Sequence, residues 1–431
     1  MGNVVSRTGG ASMSNGFLDL RVIESSAFIA APLAGLTLAQ FGADVIRVDM
    51  IGGGIDYGRL PLMPSGRSLY WTGLNKGKRS LAVDLRHSEG RELVRALVTA
   101  PGENGGVLLT NIGTPWLAHD SLAAAREDLI SCTIQGNADG STAVDYTVNC
   151  ATGYPLVTGE GSIEHPVNHV LPAWDLACAF QAAFAVMAAV DRRRRAHAGA
   201  ELKIALSDVA FTALSHLGVL AEAELLGEDR PSIGNHIYGA FGRDFGTSDG
   251  KRVMVAGISA GQWSSLVRAC GVERDIEALE GSMQRDFAKE TDRYEAREPI
   301  AAVFEPWFAA RPLQDIARTL DKHRVCWGVY RTVTDLMAND PRVSVANPVF
   351  ARMHTQGVGS HLAAGSAIRA ANTPTAATAA APLLGQHTDQ VLSEVLGLDS
   401  GAIGRLHDRN VVAGPERDPT GASPRGASER T

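Results

Sequence analysis

The sequence predicts an α/β fold, with a large domain built on a Rossmann-like parallel sheet and a second, smaller α/β domain. Short apolar runs rich in Val, Ile and Leu alternate with helical segments, which is the pattern of a parallel sheet covered by helices. The 431 residues are 45% hydrophobic and 20% charged, an ordinary composition for a globular protein. At roughly 100–200 residues per domain, the chain has room for two or three domains.

The N-terminal part contains repeated strand–helix–strand units. Pro32 suits the first turn of the first helix, which we expect to end at Gly42. The predicted strands span 20–24, 44–48, 80–85, 107–110 and 129–134, and the predicted helices span 32–41 and 89–99. Because helices connect successive apolar strands, we expect the strands to be parallel.

Later segments are expected to form the small domain and to complete the large one. An alanine-rich segment predicts a long helix over 174–195, and 383–397 is predicted as the final helix. Residues 230–250 are rich in glycine, and 364–382 are predicted to be extended. The predicted boundaries are a disordered leader at 1–16, a large domain at 17–205 completed by a return segment at 336–410, a linker at 206–229, a small domain at 230–335 and a disordered tail at 411–431.

Charge and cysteine content exclude several classes of function. Forty Lys and Arg against 47 Asp and Glu give a net charge of −7, which argues against a nucleic-acid-binding protein. An apolar run of about 18 residues is absent, as is a secretory pattern, so we expect no membrane partner and a cytoplasmic location. The five cysteines include no CxxC pair, which argues against a disulfide framework or a metal site.

Common catalytic and cofactor motifs are also missing. The turn at 24–32 after the first strand lacks GxGxxG, so a nicotinamide cofactor is not predicted. The sequence contains no GxSxG, which argues against a serine hydrolase of the elbow type. His165 and His169 are four residues apart, but Pro166 lies between them and no HExxH occurs, so we expect no metal there.

Asp175 is the strongest candidate for chemistry on local sequence. It lies at the head of the long predicted helix, where the helix dipole favours an ionised carboxylate. Such a carboxylate can act as a nucleophile. The alternative is an N-cap aspartate that only stabilises the helix, and the local sequence by itself favours this interpretation.

A set of motifs in order along the chain resembles the family III CoA-transferases. They are FIAAP at 28–32, LAQFGADVIRVD at 38–49, NKGKRSLAVDL at 75–85 and LLGQHTD at 383–389. The resemblance extends from about residue 18 to 410. A narrower resemblance, to members that move CoA between the two carboxylates of one methyl-branched dicarboxylate, is carried by 51–57, 167–175 and 238–245.

The resemblance implies that Asp175 is the nucleophile. In this family the carboxylate attacks an acyl-CoA thioester to give a mixed anhydride, and CoA then forms an aspartyl-CoA thioester. The resemblance also implies the family III fold, an interlocked homodimer, an acyl-CoA substrate and no cofactor beyond the CoA of that substrate.

Further site residues follow from the resemblance by position. The implied CoA-binding residues are Ile29, Ala30, Val83, Arg86, Asn111, Ile112, Gly113, Gln135, Gly136, Asn137 and Ala138. Arg86 stands where the family has a lysine. His236 and Arg243, in and after a glycine-rich loop, are hypothesised to hold the free carboxylate of the substrate.

The sequence also has to be compared with the requirements of three alternative functions. An intermolecular CoA transferase would use the same nucleophile and differ only in releasing the free acid. A racemase of the same superfamily needs a histidine just before Asp145, where this chain has Val144. A non-catalytic acyl-CoA-binding protein would not need the Asp175 segment.

Overall fold

The computed structural model describes residues 17–371 and 379–421. The strands are β1 Arg21–Ser25, β2 Asp44–Met50, β3 Arg79–Val83, β4 Val107–Thr110, β5 Ile130–Gln135, β6 Ala200–Ala205, β7 Phe241–Gly246, β8 Arg252–Gly257, β9 Cys326–Val329, β10 Phe350–Thr355, β11 Gly359–Ala364 and β12 Val412–Ala413. The helices are α1 Ala30–Gln40, α2 Leu69–Leu74, α3 Ser88–Thr99, α4 His119–Ala123, α5 Asp145–Cys150, α6 Tyr154–Val157, α7 Ala173–Ala196, α8 Leu206–His216, α9 Val219–Leu226, α10 Ala260–Cys270, α11 Glu273–Met283, α12 Glu290–Glu295, α13 Arg297–Ala309, α14 Leu313–Lys322, α15 Val333–Asn339, α16 Thr388–Leu396 and α17 Ser400–Asp408.

The described chain divides into two compact units. The first contains residues up to 152, 169–220 and the described residues from 341 onward, and the second contains 153–168 and 221–340. The division differs from the predicted domains, because 153–168 belong to the second unit and the predicted linker at 206–229 contains α8 and α9.

A seven-stranded sheet is the core of the first unit. Its order is β12-β3-β2-β1-β4-β5-β6, and every neighbouring pair is parallel except β12 with β3. Ile23, Ile46, Leu81 and Leu108 from the four central strands are buried together. Because these strands are covered on both faces, they are apolar along most of their length. The predicted Rossmann-like parallel sheet is therefore confirmed.

Helix α7 packs against α1 and the sheet. Among the described residues, α7 and the bent pair α8 and α9 are apolar enough to cross a membrane by length and composition. This composition is weak evidence for a membrane span, because a buried core helix has the same composition. Cys178, Ala182 and Val186 of α7 are completely buried in the protein.

The second unit contains a mixed α/β fold with an aromatic core. Strands β7, β8 and β9 form an antiparallel sheet covered by helices α10 to α14. Phe245 and Phe308 stack with ring centroids 4.5 Å apart, and Phe241, Trp263 and Phe304 pack together in the same core. The predicted smaller α/β domain corresponds to this unit.

The prediction of a disordered tail from residue 411 is wrong for 411–421. Strand β12 pairs with β3, and Asp418 is buried. The Asp418 carboxylate accepts hydrogen bonds from Tyr57 Oη at 2.6 and 2.8 Å and lies 3.4 Å from Arg67 Nη1. Composition suggested a solvated tail, but Tyr57 and Arg67, from the N-terminal part of the chain, hold this segment in place. The predicted leader at 1–16, residues 372–378 and residues 422–431 lie outside the described residues.

Replacing Asp418 with Ala is expected to lower the free energy of unfolding by about 3–5 kcal/mol, because the Arg67 charge would remain buried without its partner. The matched control is Asp191→Ala, which removes the exposed pair with Arg195 and is expected to cost about 0–1 kcal/mol. Chemical unfolding followed by tryptophan fluorescence measures both. Equal midpoints for the two variants would contradict the structural role of Asp418.

Candidate active site

A cavity of about 440 Å³ opens at the edge of the sheet where the parallel strands end. Ligands of open α/β proteins bind at this edge. Six residues predicted from the sequence line it: Ile29, Ala30, Asn111, Gln135, Gly136 and Asp175. Side chains that the sequence analysis did not assign to the site also line it, among them Phe28, Arg59, Tyr70, Asp145 and Tyr146.

The loop between β1 and α1 is fixed from two sides. Asn111 Oδ1 accepts a hydrogen bond from Ala27 N at 2.9 Å, and Asn111 Nδ2 donates to Ala27 O at 2.7 Å. Phe28 N donates to the buried Asp56 carboxylate at 3.0 Å, and Phe28 has the left-handed φ of +65°. A non-glycine residue in this conformation costs free energy, which the surrounding hydrogen bonds offset. The loop therefore holds Ile29 and Ala30 in a defined position.

Asp175 lies in the first turn of α7 and faces this cavity. Burial, together with the nearby Asp145 carboxylate, raises its pKa to about 7, and the positive charge of Arg59 opposes this shift. Its carboxylate accepts no hydrogen bond from any residue that the structure describes. The interpretation of Asp175 as the N-cap is wrong, because Pro172 occupies the N-cap position and the cap is supplied from elsewhere.

Asp145, at the start of α5, supplies that cap. Its buried Oδ2 accepts hydrogen bonds from Trp174 N at 2.7 Å and Asp175 N at 2.9 Å. Its Oδ1 lies 2.6 Å from His169 Nε2. The short distance identifies a hydrogen bond between the imidazole ring and the carboxyl group. Asp145 therefore ties His169 to the backbone that carries Asp175.

Arg59 is a cationic side chain that lines this cavity, and its charge acts on Asp175. Its guanidinium carbon lies 5.4 Å from the centroid of the Phe28 ring and 5.1 Å from that of Tyr70. Within 17–371 and 379–421, the guanidinium donates no hydrogen bond. The Tyr70 hydroxyl is buried, has no partner among the same residues, and has its pKa raised to about 12 by burial. Sequence patterns did not single out either residue: Arg59 lies in the loop after β2, two residues past segment 51–57, and Tyr70 lies in α2.

The other predicted CoA-binding residues are dispersed. Arg86 and Ile112 line a neighbouring cavity of about 340 Å³ at the ends of β1 to β3, whereas Gly113 and Ile112 line one of about 320 Å³. The Val83 side chain is completely buried in the core. Asn137 and Ala138 follow β5, where Ala138 O accepts a hydrogen bond from Gln135 Nε2 at 3.0 Å.

His236 and Arg243 line a separate cavity of about 600 Å³ within the second unit. His236 Nε2 lies 3.1 Å from Glu298 Oε1, and Arg243 Nη1 lies 3.6 Å from Glu298 Oε2. Burial lowers the pKa of His236, with the Glu298 charge opposing. The structure thus brings together the two residues predicted to bind the substrate carboxylate. The Glu298 carboxylate of the chain itself already lies between them. Among the described residues, no group of three or more His, Cys, Asp or Glu is arranged to hold a metal ion.

Comparisons of the sequence and of the structure with known proteins point to the same protein family. The model of CoA-transferase family III matches residues 18–388. The chain is 49% identical to 2-methylfumaryl-CoA isomerase of Chloroflexus aurantiacus, over 92% of this chain and 98% of that protein. It is 25% identical to a formyl-CoA:oxalate CoA-transferase of Rhodopseudomonas palustris, over 92% and 97%. A crystal structure of a CAIB/BAIF family protein from Brucella suis superimposes with a TM-score of 0.71 at 25% identity, over 88% and 98%.

Proposed function

The chain belongs to CoA-transferase family III, and from this premise we propose that it moves CoA between the two carboxyl groups of one dicarboxylic acid. The proposed reaction converts 2-methylfumaryl-CoA, with its thioester at C1, into 3-methylfumaryl-CoA, with the thioester at C4. The proposal is supported mainly by the position of Asp175. Its carboxylate lies in the cavity at the sheet edge, where it accepts no hydrogen bond from the described residues. The identity of 49% to a 2-methylfumaryl-CoA isomerase supports this choice of substrate.

The first half of the reaction transfers CoA to the protein. An Asp175 oxygen attacks the C1 carbonyl, the C–S bond breaks, and the CoA thiolate leaves with both electrons, which gives a mixed anhydride. The thiolate then attacks the Asp175 carbonyl carbon. The bond from that carbon to the bridging oxygen breaks, so free methylfumarate leaves with one oxygen from Asp175, and an aspartyl-CoA thioester remains.

The second half repeats these steps with the other carboxylate. The C4 carboxylate attacks the aspartyl-CoA carbonyl and releases the thiolate, which gives the second anhydride. The thiolate attacks the C4 carbonyl, and Asp175 regains a carboxylate with one oxygen from the substrate. Since one thioester replaces another, no other energy source is needed.

The protein supplies electrostatics and the exclusion of water. The charge of Asp145 disfavours the ionised form of Asp175, which makes that form more basic and a better nucleophile when it is present. Partial burial of the site also limits the access of water, which would hydrolyse the anhydride.

The CoA moiety is proposed to extend from this cavity across the sheet edge. Ile29, Ala30, Asn111, Gln135 and Gly136 would contact the part next to the thioester. Arg86 and Ile112, beside the neighbouring cavity, would contact the nucleotide, and the buried side chain of Val83 leaves only its backbone for this role. Gly113, Asn137 and Ala138 remain predicted contacts. No cofactor beyond this CoA is proposed, and the cytoplasmic location remains a prediction.

An intermolecular transferase is the second candidate, since the chain also resembles a formyl-CoA:oxalate CoA-transferase. Incubation with 2-methylfumaryl-CoA and excess isotopically labelled 2-methylfumarate separates the two candidates. An unlabelled C4 thioester supports the isomerase, and a labelled thioester supports the intermolecular reaction. Absence of any new thioester would contradict both reactions with this acid.

A homodimer is proposed as the active form. Phe180 and Phe184 lie four residues apart on one face of α7 and are 55% and 77% exposed, and Leu217 is 66% exposed. Two large apolar side chains exposed side by side on one helix face, as Phe180 and Phe184 are, are typical of a surface that another chain covers. The native mass is therefore expected to be about 91 kDa, twice the 45.5 kDa of one chain. Light scattering coupled to size-exclusion chromatography measures it, and a mass of one chain would contradict the dimer.

A further inference from the structure

An isomerase of this type must retain the free dicarboxylate while CoA is attached to the protein. If the acid escapes, the second carboxylate cannot attack, and the reaction becomes intermolecular. We propose that Arg59 and Tyr70 bind the carboxylate that is not reacting, and that they retain free 2-methylfumarate in the cavity between the two half-reactions. This inference rests on the proposed function.

Arg59 has the geometry of a carboxylate ligand. The Phe28 and Tyr70 rings, 5.4 and 5.1 Å from its guanidinium carbon, restrict the position of the planar group. Among the described residues its five N–H donors have no acceptor, so they remain available for a bidentate contact. Arg59, Tyr70 and Asp175 line the same cavity, and the Arg59 charge acts on the Asp175 carboxylate.

Two other arginines close to the sheet edge are already occupied. Arg47 donates to Asp49 at 2.8 Å and lies 3.4 Å from both Glu24 and Asp56, all of them buried. Arg67 donates to the Pro382 carbonyl at 2.6 Å and pairs with Asp418. Binding of a substrate carboxylate to either guanidinium would require these contacts to break.

Tyr70 supplies a second donor on the same wall. Its buried hydroxyl has no partner among the described residues, and an unsatisfied buried hydroxyl is costly. Because burial raises its pKa to about 12, the hydroxyl keeps its proton at neutral pH and can donate to a carboxylate. A bound carboxylate would thus satisfy Arg59 and Tyr70 together.

The chemistry of the acid explains why one such site serves both halves of the reaction. The two carboxylates of 2-methylfumarate lie at opposite ends of a rigid trans double bond. A half-turn of the free acid exchanges their positions and changes only which carbon carries the methyl group. Arg59 and Tyr70 would bind the C4 carboxylate in the first half and the C1 carboxylate in the second.

His236 and Arg243, the carboxylate ligands hypothesised from sequence, fit this role less well. Glu298 already lies within 3.1 and 3.6 Å of them, so an incoming carboxylate would have to displace it. Arg59 requires no such displacement by a described residue.

The test measures how often the free acid escapes. Wild type, Arg59→Met, Arg59→Lys and Tyr70→Phe are incubated with 2-methylfumaryl-CoA and excess ¹³C-labelled 2-methylfumarate. The labelled fraction of the thioester products is then measured by mass spectrometry. Arg274→Met is the matched control, because it removes an exposed arginine on α11, outside the cavity. Circular dichroism verifies that each variant is folded.

The expected wild-type and Arg274→Met products carry almost no label. Arg59→Met is expected to raise the labelled fraction at least tenfold and to slow isomerisation, with smaller effects for Arg59→Lys and Tyr70→Phe. An unchanged labelled fraction in Arg59→Met would overturn the inference, as would complete loss of thioester chemistry in both folded Arg59 variants. Failure of the proposed function has a different signature: the wild type itself gives labelled product or no new thioester.

Discussion

The Asp175→Asn variant is expected to lose at least about 10³-fold in kcat while still binding CoA. Loss of a catalytic nucleophile produces effects of this size or larger. Asparagine has nearly the same shape as aspartate but cannot form the anhydride, because its amide nitrogen and oxygen are poor nucleophiles. The Asp175 carboxylate accepts no hydrogen bond from the described residues, so the substitution breaks no hydrogen bond between them and this side chain. Steady-state kinetics and calorimetric titration with CoA measure the two effects separately.

The matched control is Asp191→Asn. Asp191 lies on the same helix, where it is exposed and pairs with Arg195 at 2.6 Å. We expect its turnover to equal that of the wild type. Full turnover by Asp175→Asn would exclude covalent catalysis through this residue and would favour the non-catalytic interpretation of the Asp175 segment.

Asp145→Asn is expected to move the pH profile of kcat/KM. Only ionised Asp175 can attack, so wild-type kcat/KM should rise with pH through about 7. Asp145 raises the pKa of Asp175 because a like charge disfavours ionisation. Removal of that charge lowers the pKa of Asp175, and the acid limb of the profile moves to lower pH.

The same variant should also reduce kcat, by about tenfold. The asparagine side chain has one acceptor oxygen, whereas the two oxygens of Asp145 form hydrogen bonds with Trp174 N, Asp175 N and His169. Loss of one of these contacts loosens the start of α7, at a cost typical of a lost helix cap, about 1 kcal/mol. An acid limb that stays in place or moves to higher pH would contradict the electrostatic coupling between Asp145 and Asp175. Substrate titration is common to both proteins and cancels in the comparison.

Local sequence patterns were sufficient to predict the parallel sheet and the helix that position the site. Apolar strands that alternate with helices predicted the parallel sheet, because each strand is buried on both faces and its pattern depends on few other residues. The position of Asp175 at the head of α7 also followed from local sequence. The motifs at 28–32 and 75–85 predicted the family, whose model matches residues 18–388.

The partners of Asp175 could not be predicted in the same way. Asp145 and Arg59 reach Asp175 through tertiary contacts across 30 residues or more, and no spacing rule connects such positions. His169 lies in segment 167–175, which carries the narrower resemblance, but its partner Asp145 lies on α5, 24 residues earlier in the chain. The prediction of a disordered tail was wrong for a similar reason, because Asp418 pairs with Arg67 across 351 positions of the chain. Composition alone describes none of these contacts.

The central claim is that CoA is attached to Asp175 during turnover. The most direct measurement mixes the protein with 2-methylfumaryl-CoA, quenches with acid within one turnover, and locates covalent CoA by peptide mass spectrometry. We predict one CoA per active site, joined through a thioester to the peptide that contains Asp175 and absent from Asp175→Asn. Full isomerisation without this adduct, or an adduct on another residue, would contradict the account.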